Sequence, residues 1–167
     1  MTIEATYCLL HHSNGRGPEI LVGTRTGAFL AGKISGPGGK FESGETMIPC
    51  AKREVFDEVD LEIKVDPAEH FATVDYYHPG SVNPNWRVHY LHVREWQGDP
   101  WHKEGFVDIF WMTIETFLID HRTPCDIPEW LPQALRYHSR HKRPVTVKIY
   151  YKDPDLTEIE KVILEYV

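Results

Sequence analysis

The sequence predicts a mixed α/β domain built on a largely antiparallel or mixed sheet, and three observations predict it. β-forming segments open the chain, an amphipathic helical pattern follows a glycine-rich stretch, and alternating segments close the chain around a second helical pattern. With 167 residues, 41% apolar and 26% charged, the chain is long enough for one core and too apolar to stay unfolded. Residues 1–167 therefore read as a single domain.

Residues 2–12 are rich in β-formers and end in Ser13-Asn14-Gly15-Arg16-Gly17-Pro18, a cluster of turn residues. Residues 19–25, with Ile20, Leu21 and Val22 at their centre, read as the returning strand of a hairpin. Residues 32–40 hold four glycines and a proline, a composition that excludes a helix and predicts a loop of irregular backbone. In residues 46–59, Met47, Cys50, Ala51, Val55 and Val59 repeat with helical spacing. Ser43 or Thr46 is the candidate cap; with Thr46 in that place, Pro49 falls in the first turn, where no intrahelical N–H is required. Residues 69–77 and 86–95 read as strands separated by His-Pro-Gly and Asn-Pro-Asn turn signals, and residues 106–112 as a further strand. After the loop Thr123-Pro124-Cys125-Asp126-Ile127-Pro128, residues 129–140 read as a second helix and residues 145–151 as a strand. Residues 156–167 fit both periods: Leu156, Ile159, Val162, Ile163 and Tyr166 as a helical stripe, or Val162, Leu164 and Tyr166 as an alternating strand.

Composition narrows the functional classes. The formal charge of −7 makes a poor surface for gripping duplex nucleic acid, and between Glu42 and Glu69 nine acids face three bases. Apolar runs stop at four residues, such as Tyr7-Cys8-Leu9-Leu10, whereas a membrane helix needs about 20. No signal peptide is expected from Met1-Thr2-Ile3-Glu4, and three scattered cysteines suit a reducing compartment, the cytoplasm by default. His138 and His141 are spaced like half a zinc site, with no neighbouring cysteine or carboxylate to complete it.

The chemistry concentrates in the first helix. Glu54, Asp57 and Glu58 stand at i, i+3 and i+4, which puts three carboxylates on one helical face. Their mutual repulsion costs roughly 0.2–0.5 kcal/mol per pair on an isolated helix. A hard divalent cation, Mg²⁺ or Mn²⁺, turns that cost into a binding site.

The full run is Gly39, five residues, Glu45, seven residues, then Arg53-Glu54-Val55-Phe56-Asp57-Glu58-Val59-Asp60-Leu61. It closely resembles the signature of the Nudix hydrolases, G-x5-E-x7-R-E-U-x-E-E-x-G-U with U aliphatic. The departures are Asp57 for the first glutamate of the pair and Asp60 for the second glycine. Asp57 reaches about 1.5 Å less than a glutamate, and Asp60 must adopt the left-handed backbone at a cost of roughly 1 kcal/mol.

The resemblance implies an α/β/α sandwich around a mixed sheet and metal-assisted hydrolysis of a small nucleotide at its pyrophosphate. By position it implies Glu54, Asp57, Glu58 and the carbonyl near Gly38 as metal ligands. It implies Arg53 and Glu45 as the pair that orients Glu54, and Glu58 or Asp57 as the group that helps deprotonate the attacking water. Glu104 is the candidate for a further carboxylate on the metal, in competition with Asp108. A weaker likeness runs on to the eukaryotic-type hydrolases of oxidised purine nucleoside triphosphates. It rests on Gly36-Pro37-Gly38-Gly39-Lys40, on Arg25 and Phe29 ahead of that loop, and on Asp126 before Trp130-Leu131-Pro132. It implies that Arg25, Phe29, Gly38, Gly39 and Lys40 adjoin the substrate and that Ser35 and Asp126 face the base, with an N-cap as the alternative for Asp126. Hydrolysis of another nucleoside diphosphate derivative (ADP-ribose, a dinucleotide, a nucleotide sugar or a capped RNA) is the alternative within the family. A Nudix scaffold kept as a non-catalytic ligand-binding module is the alternative outside enzymes.

Overall fold

The computed structural model describes residues 1–15, 17–27 and 30–166. The elements run in the order β1 (Ile3–Ser13), β2 (Pro18–Arg25), β3 (Ile34–Ser35), α1 (Met47–Val59), β4 (Glu62–Lys64), β5 (His70–Tyr77) and β6 (Trp86–Val93). They continue with β7 (Glu95–Gln97), β8 (Phe106–Thr113), α2 (Ile114–Ile119), α3 (Ile127–His141), β9 (Val145–Tyr151) and β10 (Ile159–Tyr166). The main sheet has eight strands in the order β10-β9-β5-β6-β1-β2-β3, with β8 on β2; β4 and β7 pair separately. The pairs β1–β6 and β5–β9 are parallel and the other pairs of the main sheet antiparallel, so the sheet is mixed.

Helices cover both faces. On one face Cys8, Leu10, Leu21, Leu91 and Val93 meet Ala51, Val55 and Val59 of α1. On the other, Leu9, Ile20, Val22, Val74 and Val147 meet Phe117 of α2 and Ile127, Trp130, Leu131 and Ala134 of α3. Neighbouring residues of β1 thus enter opposite cores, as the period of two in a strand requires. Each of the largest fully buried side chains, Leu10 and Leu91 among them, contributes roughly 1.5–3 kcal/mol by burial. The α/β/α sandwich expected from the family resemblance is the architecture observed.

Several local expectations are refined. Thr46 occupies the extended N-cap position of α1, with Pro49 in the first turn, but its side chain makes no capping bond. Asp60 is left-handed (φ 61°, ψ 34°), closing the helix through its amide to the Phe56 carbonyl, as the missing glycine demanded. The helix read over residues 129–140 is α3 and starts earlier than its apolar pattern suggests, at Ile127, because Pro128 is compatible with a first helical turn. Residues 156–167 resolve as strand through Ile159–Tyr166: β9 offers an open edge, and Val162 and Leu164 pair with Ile149 and Val147. Among the described residues, no helix is long and apolar enough to cross a membrane.

Candidate active site

The glycine-rich loop runs along β1 as a substitute strand. The Cys8 amide donates to the Pro37 carbonyl and the Thr6 amide to the Gly39 carbonyl, both at 2.8 Å, and Ala5 bridges Lys40. This close approach explains the glycines. A Cβ on Gly38 (φ 154°) would stand 2.2 Å from the Thr6 carbonyl oxygen, and one on Gly39 would stand 2.4 Å from the Glu54 carboxyl. Lys40 places its ammonium over the Trp86 ring at 5.0 Å.

Helix α1 lies beneath the loop with its carboxylates taken up by two arginines. Arg53 grips Glu45 with two prongs, Nε to Oε1 at 3.0 Å and Nη2 to Oε2 at 2.8 Å. It donates as well to Glu54 Oε1 (2.8 Å) and to the Lys40 carbonyl (2.9 Å). One guanidinium therefore ties α1 to both ends of the loop, and its hydrogen bonds hold the Glu45 carboxyl down at about 2. Arg53→Lys is expected to lower both Tm and kcat, because an ammonium is a point donor and cannot reproduce the fork. Adding Glu45→Gln should then cost little more. A double-mutant cycle in Tm and kcat checks this, and additive losses would show that the two residues act separately.

Glu58 is buried, accepts from the Gly38 amide (2.9 Å) and is paired with Arg25 Nη1. Burial raises its carboxyl above the ordinary carboxylate value, against the downward pull of Arg25 and the Gly38 amide. Asp57 is half-exposed on the outer side of the helix, with Arg53 Nη1 at 3.9 Å. The segment before β8 docks on the end of α1: Trp101 and Lys103 donate their amides to the Val59 and Glu58 carbonyls, satisfying groups that a helix end leaves free. This brings Gly105 against Glu58, where an added Cβ would lie 2.9 Å from Oε1, and leaves the adjacent Glu104 exposed. Asp108 is engaged elsewhere, accepting from the Thr24 amide at 3.0 Å.

Two side chains expected to face a base are occupied otherwise. The buried Ser35 hydroxyl accepts from Arg25 Nε at 2.7 Å and donates to the Gly36 carbonyl. Asp126 is buried and accepts from Trp130 Nε1 (3.1 Å), Tyr151 (3.0 Å) and Tyr76 (3.4 Å); burial raises its carboxyl above the ordinary value. It stands at the N-cap position of α3 without a capping bond. Phe29 lies outside the described residues. The sequence reading missed Phe106, whose ring lies 4.1 Å from the Arg25 guanidinium carbon, and Tyr7, whose hydroxyl accepts from the Gly36 amide at 2.7 Å. Both are spaced as ordinary core residues of strands, so nothing in their pattern distinguishes them. His138 is buried with Nδ1 3.2 Å from the Arg143 carbonyl, whereas His141 lies tilted against the Tyr137 ring; they do not form a pair.

The donors gathered here are hard oxygens: Glu54, Asp57, Glu58 and the Gly38 carbonyl. Among the described residues, no three His, Cys, Asp or Glu side chains converge on one point as they stand, and each glutamate is turned to its own arginine. Yet a cationic group, Arg25, already contacts both Glu58 and the Gly38 carbonyl (Nη2 to O, 3.4 Å). The residues fit an oxygen-ligated divalent cation.

Comparison with known proteins bears on the family and the fold. The NUDIX domain family matches residues 1–133. The 8-oxo-dGTP diphosphatase of Escherichia coli (strain K12) is 32% identical over 114 residues, which span 66% of this chain and 81% of that protein. Among solved structures, the MutT protein from Bacillus halodurans superposes with a TM-score of 0.73 at 20% identity, covering 98% of this chain and 97% of its own. The NUDIX domain of Shewanella oneidensis NrtR, complexed with ADP ribose, does so with a TM-score of 0.65 at 12% identity, covering 81% and 88%. These structural likenesses bear on the fold alone.

Proposed function

The chain belongs to the NUDIX family and is a hydrolase of that family; from this we propose that it is a Mg²⁺-dependent pyrophosphohydrolase of nucleoside triphosphates, oxidised purines among them. It would act as a single cytoplasmic domain, release a monophosphate and pyrophosphate, and remove damaged nucleotides from the pool. The observation that carries this reading is the junction of loop and helix, where Gly38 and Gly39 lie directly on Glu58 and Glu54. The curated relative, an 8-oxo-dGTP diphosphatase, supports a triphosphate as substrate.

In this reading the Gly38 carbonyl, Glu54, Asp57 and Glu58 hold the metal, with Glu104 adding a carboxylate from the docked segment. Mn²⁺ suits the same oxygen donors. The bound ion supplies charge neutralisation at the phosphates and a more acidic water. Arg53 keeps Glu54 facing the loop. Glu58 or its neighbour Asp57 would be the base that takes the proton of the attacking water. Arg25 and Lys40 bring positive charge to the phosphates, as Gly39 brings backbone close enough to meet them.

Selectivity for the base should be modest. An oxidised purine is discriminated by polar groups that only its edge satisfies, whereas Ser35 is committed to Arg25 and Asp126 to Tyr76, Trp130 and Tyr151. We expect kcat/KM for 8-oxo-dGTP and 2-oxo-dATP to exceed that for dGTP by no more than about tenfold, the equivalent of one hydrogen bond. Release of pyrophosphate from these three, and of AMP and ribose 5-phosphate from ADP-ribose, with Mg²⁺, tests the reading. A clear preference for ADP-ribose over every triphosphate would move the enzyme to hydrolysis of nucleoside diphosphate derivatives. No turnover of any of them would favour a ligand-binding module.

A further inference from the structure

Arg25 is bound on several sides within the site. It ends β2, ahead of the glycine-rich loop, and each nitrogen of its guanidinium is engaged. Nε donates to Ser35 Oγ (2.7 Å), Nη2 to the carbonyls of Gly36 (2.9 Å) and Gly38 (3.4 Å), and Nη1 to Glu58. Its plane is backed by the Phe106 ring at 4.1 Å. Only 14% of the side chain is exposed, and a charge held so far from water needs its partners. Two of those partners, Glu58 and the Gly38 carbonyl, are oxygens that a divalent cation would use.

We propose that Arg25 is an internal competitor of the divalent cation, seated on Glu58 and the Gly38 carbonyl until the metal displaces it, and that Ser35 is the residue that aims it there. The inference rests on the reading of Glu58 and Gly38 as metal ligands and adds an order of events to it. The metal and the guanidinium are both cations drawn to Glu58 and the Gly38 carbonyl, where the Gly38 amide already takes Oε2, so their mutual repulsion makes binding of one disfavour the other. Once expelled, Arg25 is a free fork close to the position of the phosphates, and a guanidinium suits phosphate oxygens in the same two-pronged way as a carboxylate. The metal thereby prepares the site for the anionic substrate, and the two bind with positive coupling. Ser35 has a part in this that no base contact would give it. Its hydroxyl fixes Nε, and with Nε fixed the two terminal nitrogens fall on Glu58 and on the loop carbonyls.

The test is Mn²⁺ binding to the nucleotide-free protein, followed by electron paramagnetic resonance. Arg25→Gln is expected to tighten Mn²⁺ binding at least about fivefold by removing the competing charge. Ser35→Ala keeps the arginine and its charge but loosens its aim, and should tighten binding about two- to threefold. In the wild-type protein, Mg²⁺ alone should move the Nε–H resonance of Arg25, assigned by its loss in Arg25→Gln. Unchanged Mn²⁺ affinity in Ser35→Ala, together with an Arg25 resonance that Mg²⁺ does not move, would overturn the competition and leave the metal site standing. Failure of the folded wild-type protein to bind Mn²⁺ at all would overturn the metal reading and this inference with it.

Discussion

Replacing Glu58 by glutamine is expected to lower kcat at least ~10²-fold, on the scale of losing a key electrostatic or general-base group. The amide has the same shape, so it still accepts the Gly38 amide that now binds Oε2 at 2.9 Å. What it loses is charge, on which both the pairing with Arg25 and the hold on a divalent cation depend. Tm should fall as well, because Arg25 keeps only neutral partners in Ser35, Gly36 and Gly38. Circular dichroism separates the two effects by showing a folded protein at the assay temperature. A variant that remains within tenfold of wild type would remove Glu58 from the metal and from the chemistry. Wild type treated with EDTA should lose at least as much activity, since it lacks the metal altogether.

Gly38→Ala is expected to be at least as damaging to activity and more damaging to the fold. The new methyl would meet backbone, not a side chain that can turn away: the Thr6 oxygen at 2.2 Å, the Thr6 carbon and the Tyr7 Cα at 2.9 Å. The loop must then leave β1, which puts the bonds from Cys8 to Pro37 and from Thr6 to Gly39 at risk. Two backbone hydrogen bonds and the local strain together come to on the order of 3 kcal/mol. For a chain of this size that is a drop in Tm of roughly 6–12 °C. Activity should fall at least ~10²-fold because the Gly38 amide loses its place beside Glu58 and the Gly38 carbonyl its place beside Arg25. Gly44→Ala is the control. It shares a positive φ (77°), yet its added methyl meets nothing within 4 Å, so it should lose about 1 kcal/mol of stability and little activity. Similar behaviour of the two variants in thermal melts and kcat/KM would show that backbone strain, not contact with β1, governs Gly38.

Much of the site was legible because it is local. The carboxylates of Glu54, Asp57 and Glu58 share a face by helical period alone, and the Arg53–Glu45 contact spans only the cap and the first two turns of one helix. The left-handed Asp60 follows from a residue other than glycine standing where the helix must end. The identity of the family needed no more than that run of residues, and the sandwich came with it. The remaining assignments depended on partners distant in the chain. Residues 156–167 carry both a helical and a strand pattern, and it was β9, paired from Val145 to Tyr151, that selected the strand. Ser35 and Asp126 carry polar groups that sequence can mark as candidates but cannot aim. Arg25, ten residues from Ser35 and thirty-three from Glu58, took the serine, while Tyr76, Trp130 and Tyr151 closed around the aspartate. The short strands β4 and β7 are likewise too brief to show a period and exist as a pair across more than thirty residues. Periodicity settles which face of an element a residue occupies, since that depends only on the element's own geometry. Which group it meets on that face is set by packing among elements remote in sequence, and there the competition of a buried charge for its few available partners made the choice.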